Sequence, residues 1–304
     1  MAMQHTRIRS KYVSVFALCL LAACAAPADS VSVEDANSGP ATLEGPLGEV
    51  VSDLMYGAPD ERMRAAGDLA SMGHEAAPAT EHLILALEDE EPAVRALAAE
   101  ALGSAGGELQ ATAQALNERL LVDQEEGVQS AAMAALVDLG PASTPLFLRG
   151  LKHARESVRW NSARGLGLLG ADAGDVLEPL VRALDDDDQH VRRSAAKALG
   201  QTSNHTPGVL QPLIRALTDE APEVRGSAAW AIGQCGEEAK RAVLPLVDAL
   251  RDESAGVRIE AARALGELGP CASHASMDLT GALDDSNPKV VDAVRAALAA
   301  IQQS

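Results

Sequence analysis

Val191-Arg192-Arg193-Ser194-Ala195-Ala196-Lys197-Ala198-Leu199-Gly200 decides the fold, because it recurs with changes along almost the whole chain. Val224-Arg225 through Ile232-Gly233, Val257-Arg258 through Leu265-Gly266 and Val94-Arg95 through Leu102-Gly103 are further copies. On a helix, at about 100° per residue, Val191, Ala195, Ala198 and Leu199 share one face and Arg193, Lys197 and Gln201 lie roughly opposite. Ala196 and Gly200 carry almost no side-chain bulk, so another helix can come close there. Such a helix is suited to packing on neighbours of its own kind.

The residue after the valine falls at Arg62, Arg95, Gln129, Arg159, Arg192, Arg225, Arg258 and Val291, in steps of 33, 34, 30, 33, 33, 33 and 33. Seven positions on stand Leu69, Leu102, Leu136, Leu166, Leu199, Ile232, Leu265 and Leu298. An internal period of this size predicts an all-α solenoid of eight helical hairpins, each burying its apolar face by stacking on the next. The first half of a unit is clearest as Val176–Leu184, repeated at Val209–Leu217 and Val243–Leu250. Pro179, Pro212 and Pro245 predict that this helix is kinked or starts late. Pro59, Pro92, Pro222 and Pro288 stand where the second helix should begin, a position that needs no N–H.

The pattern D-x-x-x-x-V-R-x-x-A-A-x-A-L-G-x-x-G resembles the HEAT repeat, in the short form of phycobilisome-lyase-type HEAT proteins. The resemblance covers about residues 46–303 and implies a right-handed superhelix. It also implies an aspartate–arginine ladder linking neighbouring repeats. The matching aspartates are Asp89, Asp123, Asp186, Asp219, Asp252 and Asp285, and the matching arginines are Arg95, Arg192, Arg225 and Arg258. A carboxylate repeated in every unit is more simply structural than catalytic. Repeats three and four break the rhythm. The Gly140–Pro145 linker is short, Gln129 replaces a ladder arginine and His153 a ladder aspartate, which predicts a local change in curvature.

Residues 1–23 read as a signal peptide. Arg7, Arg9 and Lys11 precede the short apolar run Tyr12–Ala23, which is too short for a comfortable membrane span. Leu21-Ala22-Ala23-Cys24 resembles a bacterial lipobox, which implies cleavage before Cys24, acylation of that cysteine and anchoring of an exported protein to a membrane. Ala25 after the cysteine implies the periplasmic side of the outer membrane in a Gram-negative cell. Residues 24–45 then form a flexible tether, and 46–304 the repeat domain.

The chain carries 25 basic and 44 acidic residues, net −19, and loss of the three bases before Cys24 leaves −22. That charge disfavours nucleic acid and acidic phospholipid as general partners. Cys235 and Cys271 leave open both a disulfide and two half-buried thiols. The histidines lie at scattered phases, and no metalloprotease, hydrolase or phosphate-loop motif is present. Deoxyhypusine hydroxylase, a HEAT-like di-iron enzyme, uses several His-Glu pairs; only His74-Glu75 occurs here. No catalytic residue, metal or cofactor is expected, although an enzyme of the lyase or hydroxylase type is the alternative. Asp185–Asp188 could hold calcium or could cap a helix.

A binding surface is the stronger expectation. Positions one and five residues past the marker place Trp160, Arg164, Arg193, Lys197, Trp230 and Arg263 in two outward rows, with Asn161, Gln201 and Gln234 beside them. Tryptophan and arginine are frequent hot spots of protein interfaces. The expected function is a non-catalytic, monomeric scaffold holding a protein or peptide along the second helices. The competing account is that the tryptophans lie flat on neighbouring repeats and the bases pair with local acids.

Overall fold

The computed structural model describes residues 43–170, 175–202 and 208–302, and among these no strand occurs. Cys24, the signal peptide and most of the tether lie outside the described residues. Helices pair into eight hairpins, each a first helix followed by a second. The first helices are α1 (Gly45–Tyr56), α3 (Thr80–Ala86), α5 (Leu109–Val122), α7 (Thr144–Gly150), α9 (Leu177–Ala183), α11 (Leu210–Ala216), α13 (Val243–Ala249) and α15 (Ser276–Gly281). The second helices are α2 (Pro59–Met72), α4 (Pro92–Ala105), α6 (Glu126–Asp138), α8 (Glu156–Leu169), α10 (Gln189–Thr202), α12 (Pro222–Gly233), α14 (Ala255–Glu267) and α16 (Pro288–Gln302). Each second helix packs on the second helix of the next hairpin, so these eight form the spine of the stack.

Three of the short first helices begin just ahead of a proline. Pro179, Pro212 and Pro245 each stand third in a seven-residue helix, inside the first turn where no intrahelical N–H bond is lost. Pro59, Pro92, Pro222 and Pro288 are the first residues of α2, α4, α12 and α16. At the far end, Gly73, Gly106, Gly140, Gly170, Gly236 and Gly269 hold φ between 53° and 82°. All six stand eleven residues past the marker, and that left-handed backbone is what stops the second helix.

The core is aliphatic and runs the length of the stack. Val94, Leu102, Val191, Leu199, Val224, Ile232 and Leu265 are completely enclosed. The spine is close because of a glycine eight residues past five of the eight markers. A Cβ built on Gly103, Gly167, Gly200, Gly233 or Gly266 would stand 2.8, 2.8, 2.9, 3.1 or 2.9 Å from the Cα of Ala135, Ala198, Ala231, Ala264 or Ala297 in the next repeat. Backbone thus rests on backbone, and a methyl group at any of these glycines would force the two helices apart.

A second device joins the turns. Arg62, Arg95, Arg159, Arg192, Arg225 and Arg258 each reach the aspartate of the following repeat, at Asp89, Asp123, Asp186, Asp219, Asp252 and Asp285, through two N–H···O bonds of 2.7–3.0 Å. Arg62 and Arg159 thereby join the ladder positions legible from the pattern. In the later repeats the remaining nitrogen donates to the arginine's own turn, as Arg192 does to the Asp186 carbonyl at 2.9 Å. Each aspartate in turn accepts the N–H two residues on, as Asp219 does from Ala221 at 2.8 Å. Every rung therefore fixes a turn in both repeats at once.

Between repeats three and four the rung is missing. Gln129 donates instead to the Asp123 carbonyl at 2.8 Å. His153 copies only the turn half of the aspartate's role, its Nδ1 accepting the Arg155 N–H at 3.2 Å. Arg155 spans the seam from the other side, donating to the carbonyls of Asp123 and Leu121 at 2.7 and 2.6 Å. The glycine–alanine contact is exchanged as well. Val137 holds the glycine's register and Gly165 the alanine's, and Gly165 lies under the Phe147 ring, 2.5 Å from where its Cβ would stand. Gln129 Oε1, Ser143 Oγ, Thr144 Oγ1, Asn161 Oδ1 and Ser162 Oγ are buried around this seam with no hydrogen-bond partner among the described residues. Such groups weaken a contact.

Burial alone would raise the carboxyl groups of Asp123, Asp186, Asp219 and Asp252, but the arginine and backbone N–H bonds outweigh it and hold them below the ordinary carboxylate value. A depressed folded-state pKa contributes stability above the unfolded value of about 4, and that stability is lost as pH falls through the folded value. The melting temperature should therefore drop steeply below about pH 4. Arg192→Gln with Asp219→Asn should flatten that drop; an unchanged acid profile would mean that the rung contributes nothing. In urea, amides before and after the Gly140–Pro145 linker should lose hydrogen-exchange protection at different denaturant concentrations. Restoring the rung with Gln129→Arg and His153→Asp should bring the two together, and one shared midpoint in the wild-type chain would rule out a weak seam.

Candidate functional site

The seam between α8 and α10 holds a groove of 480 Å³ lined by Trp160, Arg164, Leu168, His190, Arg193, Ser194, Lys197 and Gln201. Trp160, Arg164 and Leu168 recur every fourth residue on α8, so they share one face. Arg193, Lys197 and Gln201 do the same on α10. Trp160 and Arg193, Arg164 and Lys197, and Leu168 and Gln201 are each one 33-residue period apart, so each pair sits at one level of the groove. The floor is set by the backbone contact of Gly167 with Ala198.

The charges here are not neutralised. Among the described residues, no hydrogen bond or ion pair engages Arg164, Arg193 or Lys197, and no carboxylate lines the groove. The ladder arginines differ: Arg192, one residue before Arg193, is buried and doubly paired. Trp160 is half-buried and packs its apolar part on the core, which leaves the rest of the indole in the groove.

The residues predicted for a binding strip therefore divide. Trp160, Arg164, Arg193 and Lys197 come together. Asn161 does not join them: it is completely buried, and its Nδ2 donates to the Ser157 carbonyl at 3.0 Å. Trp230 lies on the neighbouring repeat, its ring 2.6 Å from where a Gly200 Cβ would stand. Gln234 donates to Glu267 at 2.6 Å and Arg263 to Glu260 at 2.8 Å. Burial, reinforced by Glu260 and opposed by Arg263, pushes the Glu267 carboxyl up. That end of the strip is acid-balanced. Leu168, His190 and Ser194 were not singled out by the two-row reading; a fourth-residue step from Arg164 and a third-residue step back from Arg193 would have found the first two.

The other candidates have structural partners. Asp186 is a ladder rung, and Asp188 Oδ1 accepts the N–H groups of His190 and Val191 at 2.9 and 3.0 Å, capping α10. His74 Nδ1 lies 3.2 Å from the Ala105 carbonyl. Cys235 is buried and Cys271 half-buried, and no disulfide joins them. Among the described residues no group of three or more His, Cys, Asp or Glu side chains converges as for a metal ion. No described helix is long and apolar enough to cross a membrane.

Stacked hairpins with a common spine, an arginine–aspartate ladder and a lateral cationic groove define an α-solenoid of the repeat-scaffold class. A family model for HEAT repeats matches residues 54–137, 144–233 and 210–302. The chain belongs to the HEAT-repeat family. No curated protein matches it in sequence. Among solved structures it is similar to Escherichia coli YibA, with 19% identity over 92% of this chain and 100% of that one and a TM-score of 0.58. It is similar to an engineered protein, with 24% identity over 85% and 79% and a TM-score of 0.50. It also resembles Kap95p, solved with RanGDP, with 16% identity over 84% of this chain but 39% of that one and a TM-score of 0.61. These likenesses establish the shared fold.

Single-tryptophan variants, Trp230→Phe and Trp160→Phe, separate the two indoles. Trp160 fluorescence should be quenched by iodide more strongly than acrylamide quenching predicts, because the unpaired cations concentrate anions, and added salt should remove the excess. Trp230 should show no such excess. Equal iodide behaviour at both sites would mean that the groove carries no effective positive field.

Proposed function

We propose that this protein is an exported, membrane-tethered, non-catalytic scaffold that holds a protein segment on the second-helix surface at repeats four and five. One observation carries the binding reading: among the described residues Arg164, Arg193 and Lys197 have no hydrogen-bond or ion-pair partner, and they line one groove with a half-buried tryptophan, in a chain with 44 acidic residues. Like charges gathered in one groove repel one another, whereas an interface gives them partners. The HEAT-repeat fold suits protein interaction, and Kap95p, solved with RanGDP, shares that fold.

The tethering reading rests on sequence alone. Arg7, Arg9 and Lys11, the apolar run and Leu21-Ala22-Ala23-Cys24 support export and acylation of Cys24. Residues 25–42 would then link the anchor to a monomeric solenoid facing the periplasm, on the outer membrane of a Gram-negative cell.

Two measurements test the two halves. Cys24→Ser should abolish metabolic labelling with palmitate and shift the protein from the membrane to the soluble fraction; persistence in the membrane would end the lipoprotein reading. A photo-crosslinking amino acid at Trp160 should capture a discrete protein in the native cell. The same group at Met63, which is exposed at the first outward position of repeat one, should not. Equal capture at both positions, or none at Trp160, would remove the groove as the binding site.

A further inference from the structure

We propose that the groove between α8 and α10 takes a short extended segment of another protein, with two neighbouring carboxylates flanked on each side by an apolar side chain. This rests on reading the groove as the binding site and goes on to name what fills it.

The order of chemistry along the groove carries the argument. At one end stands Trp160, with Arg193 across from it; in the middle Arg164 faces Lys197; at the other end Leu168, 49% exposed, faces Gln201. Apolar surface therefore stands at both ends of one wall, with two cations in the middle and a third, Arg193, at the Trp160 end. A carboxylate entering at the middle lies between guanidinium and ammonium groups from two different helices, and a second one residue or two away meets Arg193. The flanking apolar side chains would cover the Trp160 ring and the Leu168 side chain, removing from water two groups that fold alone leaves wet.

Length selects the occupant further. Trp160 to Leu168 spans about 12 Å of helix. An extended chain rises about 3.3 Å per residue, so the groove holds about four residues. A long polyanion does not suit it. Beyond the groove such a ligand would lie along a molecule of net charge −19, and at about 10 Å screening its outer charges would feel acidic surface. Nucleic acid is thereby disfavoured against a peptide whose charge is confined to two positions. The ladder aspartates of these repeats are already taken, Asp186 by Arg159 and Asp219 by Arg192.

One competitor lies in this chain. Val33-Glu34-Asp35-Ala36 in the tether carries the same pattern, so self-occupation is an outcome the test must separate.

The test is selection of a displayed random-heptapeptide library on the full-length chain. Wild type is compared with Arg193→Glu/Lys197→Glu and, on the other helix, Arg164→Glu. None of the three residues has a partner among the described residues, so circular dichroism and melting temperature should stay unchanged. The expected result is a consensus with two adjacent acidic positions between aliphatic or aromatic ones. A peptide bearing that consensus should bind at least about tenfold more weakly to each variant, a loss of about 1.4 kcal/mol. It should also bind more weakly when its acids are changed to amides. A groove-dependent consensus without acids would overturn this proposal and leave the binding site standing. A consensus insensitive to all three variants would overturn the site itself. Tighter, groove-dependent binding of an oligouridylate 20-mer than of the selected peptide would assign the groove to nucleic acid instead. Enrichment that emerges only after Glu34→Gln/Asp35→Asn would show that the protein's own tether is the occupant.

Discussion

The close approach of successive second helices governs this molecule. Gly103, Gly167, Gly200, Gly233 and Gly266 let backbone meet the Cα of an alanine in the next repeat. With so little room between helices, the core is made mainly of Leu, Val, Ile and Ala, and its one fully buried aromatic among the described residues, Phe147, sits over Gly165 at the irregular seam. The same contact fixes rotation and rise per repeat, because a glycine patch one residue wide admits only one register. Each hairpin is too small to bury its own apolar face, so stability is the sum of these identical contacts. Sequence period, composition and architecture are then three consequences of one steric rule.

The arginine–aspartate ladder adds direction to that contact. A guanidinium held by two carboxylate oxygens of the next turn and by carbonyls of its own has almost no freedom left. Buried pairs of this kind add little or nothing to stability against a hydrophobic alternative, but losing one partner leaves a charge stranded. Their plainer effect is registry: only the correct neighbour offers an aspartate at the right height. Where the rung fails, at Gln129 and His153, the chain substitutes neutral or reversed bonds through Arg155 and exchanges Gly and Val across the contact. The stack continues, but the interface between repeats three and four is built from different parts.

Most of the fold was legible because it is periodic. The marker series runs through all eight repeats and a proline starts the second helix in four of them, and repetition separates these rules from chance. The candidate site was legible only in part, for a physical reason. A residue's phase on a helix says which way it points, but not what the next helix brings opposite. Trp160 and Trp230 both read as outward. Trp160 borders an open groove because repeat five offers Arg193 and Ser194 across from it, while Trp230 folds over Gly200, where there is no side chain to hold it off. Asn161, adjacent to Trp160, points about 100° further round and is enclosed. Arg263 and Arg164 hold equivalent positions, yet only Arg263 has a glutamate three residues back. Pairing of this sort is tertiary and lies beyond a one-dimensional pattern.

Periodicity and function therefore divide the residues between them. A position that repeats is committed to its neighbours: the markers to aspartates, the glycines to alanines, the leucines to the core. What remains free to meet a partner must be what does not repeat. At the two outward positions the other repeats carry mostly small, apolar or acidic residues, with Trp230 and Arg263 the exceptions, and in repeats four and five Trp, Arg and Lys coincide with no described acid paired to them. Other cations also lack an ion pair among the described residues, Arg64, Lys152 and Arg241 among them, but Arg164, Arg193 and Lys197 line one groove together with Trp160, and that clustering is the feature the packing does not explain.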